Sequence, residues 1–198
     1  MTAVKTRREL YAESTRQALI DTGRHLFAER GYAAVSAEEL VRHAGLTRGA
    51  LYHHFDGKQG LFEAVFEELE DSAVTAVTAA MTAAGAPETR VKAGLGAYWD
   101  ACAAPEYREI VLKQAPAALG RDRWRELDER HFGGLLREVL RTLMEEGFLA
   151  RHPVDLLSRT LFATITELAL AIAEADDPAA AREEADAIAG ALLSGLGA

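Results

Sequence analysis

The chain has 198 residues, 49% hydrophobic and 27% charged, which is enough to bury a substantial core and excludes wholesale disorder. Cys102 is the only cysteine, so an intramolecular disulfide is impossible and a reducing compartment fits. The net charge of −9 argues at first against a polyanion as partner, because phosphates are neutralised by lysine and arginine.

That figure conceals an asymmetry. Residues 1–60 carry nine Lys or Arg against seven acids, net +2, while the remainder stands at −11. Such a distribution turns the N-terminal end toward a nucleic acid and the body away from it. No apolar run approaches the roughly 18 to 20 residues that span a bilayer. The opening MTAVKTRREL lacks the apolar centre of a signal peptide, so a cytoplasmic protein with no membrane partner is expected.

Residues 5–30 place Leu10, Leu19, Ile20, Gly23, Leu26 and Phe27 on one helical face, and Gly31 ends it. Arg7 and Arg8 sit at its leading end, where a basic arm could reach phosphates or a minor groove. Ser36 to Phe55, reading SAEELVRHAGLTRGALYHHF, has the layout of a helix-turn-helix. Ser36 with Glu39 forms a capping box for a helix from Ala37 to about Ala44. Gly45 supplies the left-handed turn, and Thr47 caps a second helix from Arg48 to about Phe55. Leu40, Val41, Leu46 and Leu51 point to the interior, leaving Arg48, Gly49, Tyr52 and His53 as a face suited to a groove in nucleic acid.

Asp56 and Gln59 repeat the capping-box spacing ahead of a long helix with the stripe Leu61, Phe62, Val65, Phe66, Leu69, Ala73 and Val77. Lys58 falls in its first turn, where the macrodipole disfavours a cation unless a phosphate is also present. Gly85 to Pro87 break this helix and Glu88 to about Cys102 resumes. Pro105 and Pro116 bracket the short piece EYREIVLKQA. Three further helices are predicted: Asp122 to Glu146, Pro153 to Asp176, and a last one after Asp177-Pro178. With no hairpin signal, the expectation is an all-α fold of about nine helices. Residues 1–56 would be a DNA-binding unit and 57–198 a helical effector-binding and dimerisation unit.

The last two helices are apolar around more of their circumference than one packed face requires. Leu161, Ile165, Leu168, Ile172, Ile188 and Leu192 are the expected contacts of a homodimer that joins these helices in a four-helix bundle. On the central helices Tyr98, Trp99, Cys102, Trp124 and His131 combine apolar surface with polar tips, which makes them candidates to touch a small molecule. His53 and His54 are adjacent, so their side chains diverge by about 100° and no third ligand is spaced to hold a metal. Neither a metal nor a cofactor is expected. Two other classes compete with a DNA-binding protein. One is an enzyme using Cys102 as nucleophile and His131 as base, though nothing in the sequence orients that pair. The other is a helical ligand-binding or scaffolding protein without DNA activity.

The run LFAERGYAAVSAEELVRHAGLTRGALYHHFDGKQGLFEAV, Leu26 to Val65, resembles the N-terminal domain of the TetR family of transcriptional regulators. It combines the Gly-Tyr end of the first helix, the capped SAEEL helix, Gly45, the LYHHF signature and Lys58 before Leu61-Phe62. The resemblance implies a homodimer that binds a palindromic operator in double-stranded DNA, most simply as a repressor, and is released by a small-molecule effector. It further implies that Thr47, Tyr52 and Lys58 hold phosphates while Arg48, Gly49 and His53 face base edges, with Ser36 also at the DNA surface. Glu39 and Val41 flank Leu40 where an isoleucine-alanine pair is commoner. Beyond about Glu70 the resemblance implies a fold and names no ligand.

Overall fold

A computed structural model of the chain describes residues 6–197, which form nine helices and no strands. The predicted N-terminal segment of residues 1–5 lies outside the described residues. Helix α1 spans Arg7–Arg30, α2 Ala37–His43, α3 Arg48–His54, α4 Gly57–Ala83 and α5 Pro87–Ala103. Then come α6, residues 105–119, and α7, residues 121–145; α8 spans Val154–Glu174 and α9 Pro178–Ser194. An isolated antiparallel bridge between Leu149 and Gly197 ties the chain end to the α7–α8 connection.

Local chemistry explains most of these boundaries. Thr6 caps α1 and forms a capping box with Glu9, so Arg7 and Arg8 occupy the first helical turn and not an extended arm. Ser36 does the same for α2: its Oγ accepts the Glu39 N–H at 3.2 Å while Glu39 Oε2 accepts the Ser36 N–H at 3.0 Å. These bonds, with the Arg30 guanidinium behind them, hold the Glu39 carboxyl down at about 2. Gly45 adopts φ 67°, and Thr47 caps α3 by accepting the Ala50 N–H at 3.2 Å. The capping box expected at Asp56 and Gln59 does not form. The chain enters α4 through Gly57 at φ 65°, and the Asp56 side chain makes no cap bond.

Pro116 was expected to close off a short piece, yet α6 runs through it. Arg108–Gln114 is wound as a π-helix, and this wider turn ends just before the Ala115–Leu119 turn that has proline at its start. A proline there removes a donor from the helix's own ladder, and the re-registered turn absorbs the loss. A second π stretch, Glu129–Gly133, lies within α7.

The main core joins Leu19, Ile20, Phe27, Val35, Leu40 and Leu51 of the first three helices to Leu61, Phe62, Val65 and Phe66 of α4. Each of these fully buried Leu, Ile or Phe side chains contributes about 1.5–3 kcal/mol. The core continues through Tyr98, Trp99, Tyr107, Ile110 and Leu127, so the reading unit and the body share α4 and one packed interior. Helix α8 differs from expectation: by length and composition it is apolar enough to cross a membrane, with mean hydropathy 1.5. It packs instead against α5, α7 and α9.

Candidate nucleic-acid interface and ligand cavity

Helix α3 turns Leu51 inward, fully buried, and leaves Thr47, Arg48, Gly49, Tyr52 and His53 exposed together. Ser36 is exposed at the start of α2. These six residues are thus exposed at the starts of α2 and α3 and on the outward side of α3. Its cation is already partnered. Arg48 Nη1 lies 3.0 Å from Glu38 Oε1, and the guanidinium sits over the Tyr52 ring at 5.5 Å from its centroid. Both side chains of that ion pair are more than 60% exposed, so the pair is screened by solvent and holds the guanidinium only loosely. The pair leaves the guanidinium free to exchange Glu38 for a stronger acceptor. The rings of His53 and His54 meet edge to face at 4.9 Å.

Lys58 is not arranged as expected. Its ammonium turns away from the surface of α3 and donates to the main-chain oxygens of Tyr32 at 2.8 Å and Val35 at 2.9 Å, over the Tyr32 ring at 4.1 Å. A half-buried cation is held better by two fixed carbonyls and a ring face than by water, and the loop after α1 supplies all three. In this arrangement the side chain clamps the α1–α2 loop to α4.

In the body, α4, α5, α7, α8 and α9 line a half-open cavity of about 100 Å³. Its walls are nearly all aliphatic or aromatic, among them Val77, Met81, Leu95, Leu136, Leu140 and Phe162, and only Tyr98 and Thr164 bring polar side-chain atoms. Of the five candidate ligand residues, the structure places Tyr98 alone on this cavity. Trp99 is buried and donates from Nε1 to Asp186 Oδ1 at 2.8 Å, joining α5 to α9. Cys102 is buried beside Tyr98, Trp124 is half-buried against the core, and His131 Nδ1 lies 3.0 Å from Asp71 Oδ1. The Trp99 indole N–H and the His131 Nδ1 are occupied in contacts between helices. The real lining consists of Leu, Val, Met and Phe residues, which no side-chain signature separates from core. The imagined pairing of Cys102 with His131 is absent: the histidine faces Asp71, and burial pushes the thiol up to about 12, where no thiolate exists at neutral pH.

Behind Tyr98 lies a buried acid. Glu70 of α4 is 1% exposed and accepts the Tyr107 hydroxyl on Oε1 at 2.7 Å, and desolvation pushes its carboxyl up to about 8. Asp128 of α7 is half-buried and is likewise pushed up by desolvation, to about 7.

The expected dimer contacts divide. Leu161 and Ile172 are buried inside the subunit, and Leu161, Ile165, Leu168 and Leu192 line the cavity. Ile188 and Leu192 are exposed, at 47% and 42%, and so is Leu156 at 66%. A helix apolar on all sides does not reveal by its sequence which apolar face turns inward.

A capped helix-turn-helix with an outward reading face, joined through one long helix to a helical body with an apolar cavity, defines the class of one-chain DNA-binding transcription regulators. The chain belongs to the TetR family of transcriptional regulators. Residues 19–65 match the family model of bacterial regulatory proteins, tetR family, and residues 88–196 match the tetracyclin repressor-like C-terminal domain. It is similar to a TetR-family transcriptional regulator from Pectobacterium atrosepticum of known structure, with 34% identity, coverage of 97% of both chains and a TM-score of 0.78. The Transposon Tn10 TetC protein of Escherichia coli is 28% identical over 155 residues, 75% of each chain. The HTH-type transcriptional regulator AcrR of Shigella flexneri is 40% identical over 70 residues, 35% of this chain and 32% of that protein.

Proposed function

We propose that the protein is a homodimeric, ligand-responsive repressor: α3 reads a palindromic operator, and a small apolar molecule in the cavity releases it. The observation that carries this reading is the course of α4. The helix begins beside the reading face at Gly57 and brings Val77 and Met81 into the cavity wall, so a ligand and the DNA act on the two ends of one rigid element. In this reading residues 1–56 bind DNA, and residues 57–198 bind the effector and dimerise. Arg48, Gly49 and His53 meet base edges, with Arg48 leaving Glu38 to grip a guanine edge. Ser36, Thr47 and Tyr52 hold phosphates.

Dimerisation through α8 and α9 is supported by the apolar surface that these helices leave uncovered. Only 22% of the most apolar window of α8 is buried within the subunit, and Leu156, Ile188 and Leu192 stand exposed. Two reading helices related by a twofold axis would then meet half-sites about 34–36 Å apart. The aliphatic lining fits an apolar effector, which must bind the DNA-incompetent head spacing better by about 1–3 kcal/mol to act as a switch.

Selection of bound duplexes from a random pool, followed by salt titration of the selected site, tests this reading. A palindromic consensus and a steep loss of affinity with salt are expected. A panel of small apolar compounds screened for release of the selected duplex addresses the effector. Failure to enrich any sequence, or enrichment of an asymmetric site read by a monomer, would overturn the proposal and favour a ligand-binding or scaffolding role.

A further inference from the structure

The end of α1 and the loop that follows it are gripped by two side chains from outside the three-helix unit. Lys58 is one. The other is Gln114, which closes the π-helical stretch of α6, 82 residues beyond the loop in sequence. Its Nε2 donates to the Phe27 main-chain oxygen at 3.0 Å, and its Oε1 accepts the Tyr32 N–H at 2.8 Å. The Tyr32 amide lies just past the end of α1, where a helix offers it no acceptor of its own. One planar amide therefore gives the Tyr32 N–H its acceptor and adds a second donor to the Phe27 oxygen, which already accepts the Gly31 N–H at 3.0 Å. Residue 32 is held through its N–H by α6 and through its carbonyl by Lys58 of α4.

Helix α6 also has a second set of neighbours. Its buried residues Tyr107, Ile110 and Val111 belong to the main core, and the helix packs against α4, α5 and α8, three of the elements that wall the cavity. The turn it holds ends at Val35, and Ser36 then caps α2, so displacement of this loop carries α2 and α3 with it. An aliphatic side chain at position 114 would fill similar space and make neither bond, leaving a half-buried N–H without its partner.

We propose that Gln114 is a positioning residue for operator reading: through its paired hydrogen bonds to Phe27 and Tyr32 it fixes the angle between the reading unit and the body, and hence the separation of the two α3 helices in the dimer. This inference rests on the dimeric-regulator reading above. Gln114 contacts no DNA in this arrangement. Its effect is on which half-site spacing the dimer accepts.

The test uses the full-length protein and the selected operator, alongside duplexes with the half-sites moved apart by one and two base pairs and a scrambled duplex. The wild type is expected to prefer the selected spacing. Gln114→Leu should lose at least tenfold of that preference while its affinity for scrambled DNA is unchanged. Gln114→Glu keeps the acceptor for Tyr32 but sets a carboxylate against the Phe27 oxygen, and it should lose part of the preference. Hydrogen exchange separates positioning from unfolding: the Tyr32 amide should exchange faster in Gln114→Leu while the Leu40 and Leu51 amides keep their protection. Unchanged spacing preference, or an equal loss on every duplex, overturns the inference; should Gln114→Leu not fold, Gln114→Glu decides by the same comparison. A wild type that binds no duplex, or binds without regard to spacing, instead sinks the dimeric-regulator reading, and the inference falls with it.

Discussion

Replacing Glu70 by glutamine removes a buried titratable group while keeping its size and its acceptor for the Tyr107 hydroxyl. Burial pushes the folded-state value of this carboxyl up to about 8 from 4.5, so the folded protein holds the proton more tightly than the unfolded chain does. The stability from this proton is therefore fully present below about 4.5 and is lost as pH rises toward 8. One proton corresponds to about 1.4 kcal/mol per pH unit, so between pH 5 and pH 7.5 the wild type should lose roughly 3 kcal/mol from this group. Glu70→Gln cannot ionise and should show a correspondingly flatter profile, gaining on the wild type as pH rises toward 8. Urea unfolding at half-unit pH intervals measures this directly. Asp128, itself pushed up to about 7, also raises Glu70 by its charge, so the difference between the two curves reports Glu70 together with that coupling. Parallel curves for the two proteins would refute the reasoning.

Other substitutions probe the two ends of the molecule. Lys58→Met leaves the Tyr32 and Val35 carbonyls without their donor and should cost about 2–3 kcal/mol in urea unfolding. It should leave the salt slope of DNA binding nearly unchanged, whereas a slope reduced by about one would restore a phosphate role. Arg48→Ala should cost about 1–3 kcal/mol on the selected operator and relax preference at one base, read by competition among single-base variants; an equal loss on scrambled DNA contradicts a base contact. At Gly94 an added Cβ would stand 2.9 Å from Met81 Cγ. Gly94→Ala should drive the flexible Met81 into the cavity, abolishing ligand-induced thermal shifts at a stability cost of less than about 1.5 kcal/mol. Ile188→Glu sets a charge in the exposed apolar face of α9 and should yield monomers in sedimentation velocity at micromolar concentration; a persistent dimer places the interface elsewhere.

Features that depend on a few neighbouring residues were legible in the sequence. Ser36 with Glu39, Gly45 and Thr47 each act within four residues of their partners, and each stands as the spacing predicts. The Lys58 clamp is not legible locally, because its acceptors lie 23 and 26 residues away. A local dipole argument sees the first turn of α4 but not the carbonyls folded against it. The inward turn of Leu161 and Ile172 is hidden for a related reason, since α8 is apolar over more than one face and its packing against α5, α7 and α9 decides which is inward. The ligand candidates show the opposite bias. Polar-tipped aromatics are conspicuous in a sequence, and Trp99 and His131 use those tips to hold helices together. An empty space among leucines and valines has no such signature.

The bond from Trp99 to Asp186 gives the protein an optical reporter of its own. One of only two tryptophans, this indole is buried in α5 next to the cavity residue Tyr98, with its N–H tied to the carboxylate of α9. Indole emission shifts with the polarity and hydrogen bonding around the ring. Any molecule that wedges α5 from α9 would therefore change its colour and intensity, and Trp124→Phe would leave that signal free of its only competitor. Occupancy of the cavity then becomes readable in unlabelled protein, in the same cuvette that follows binding to a dye-marked duplex.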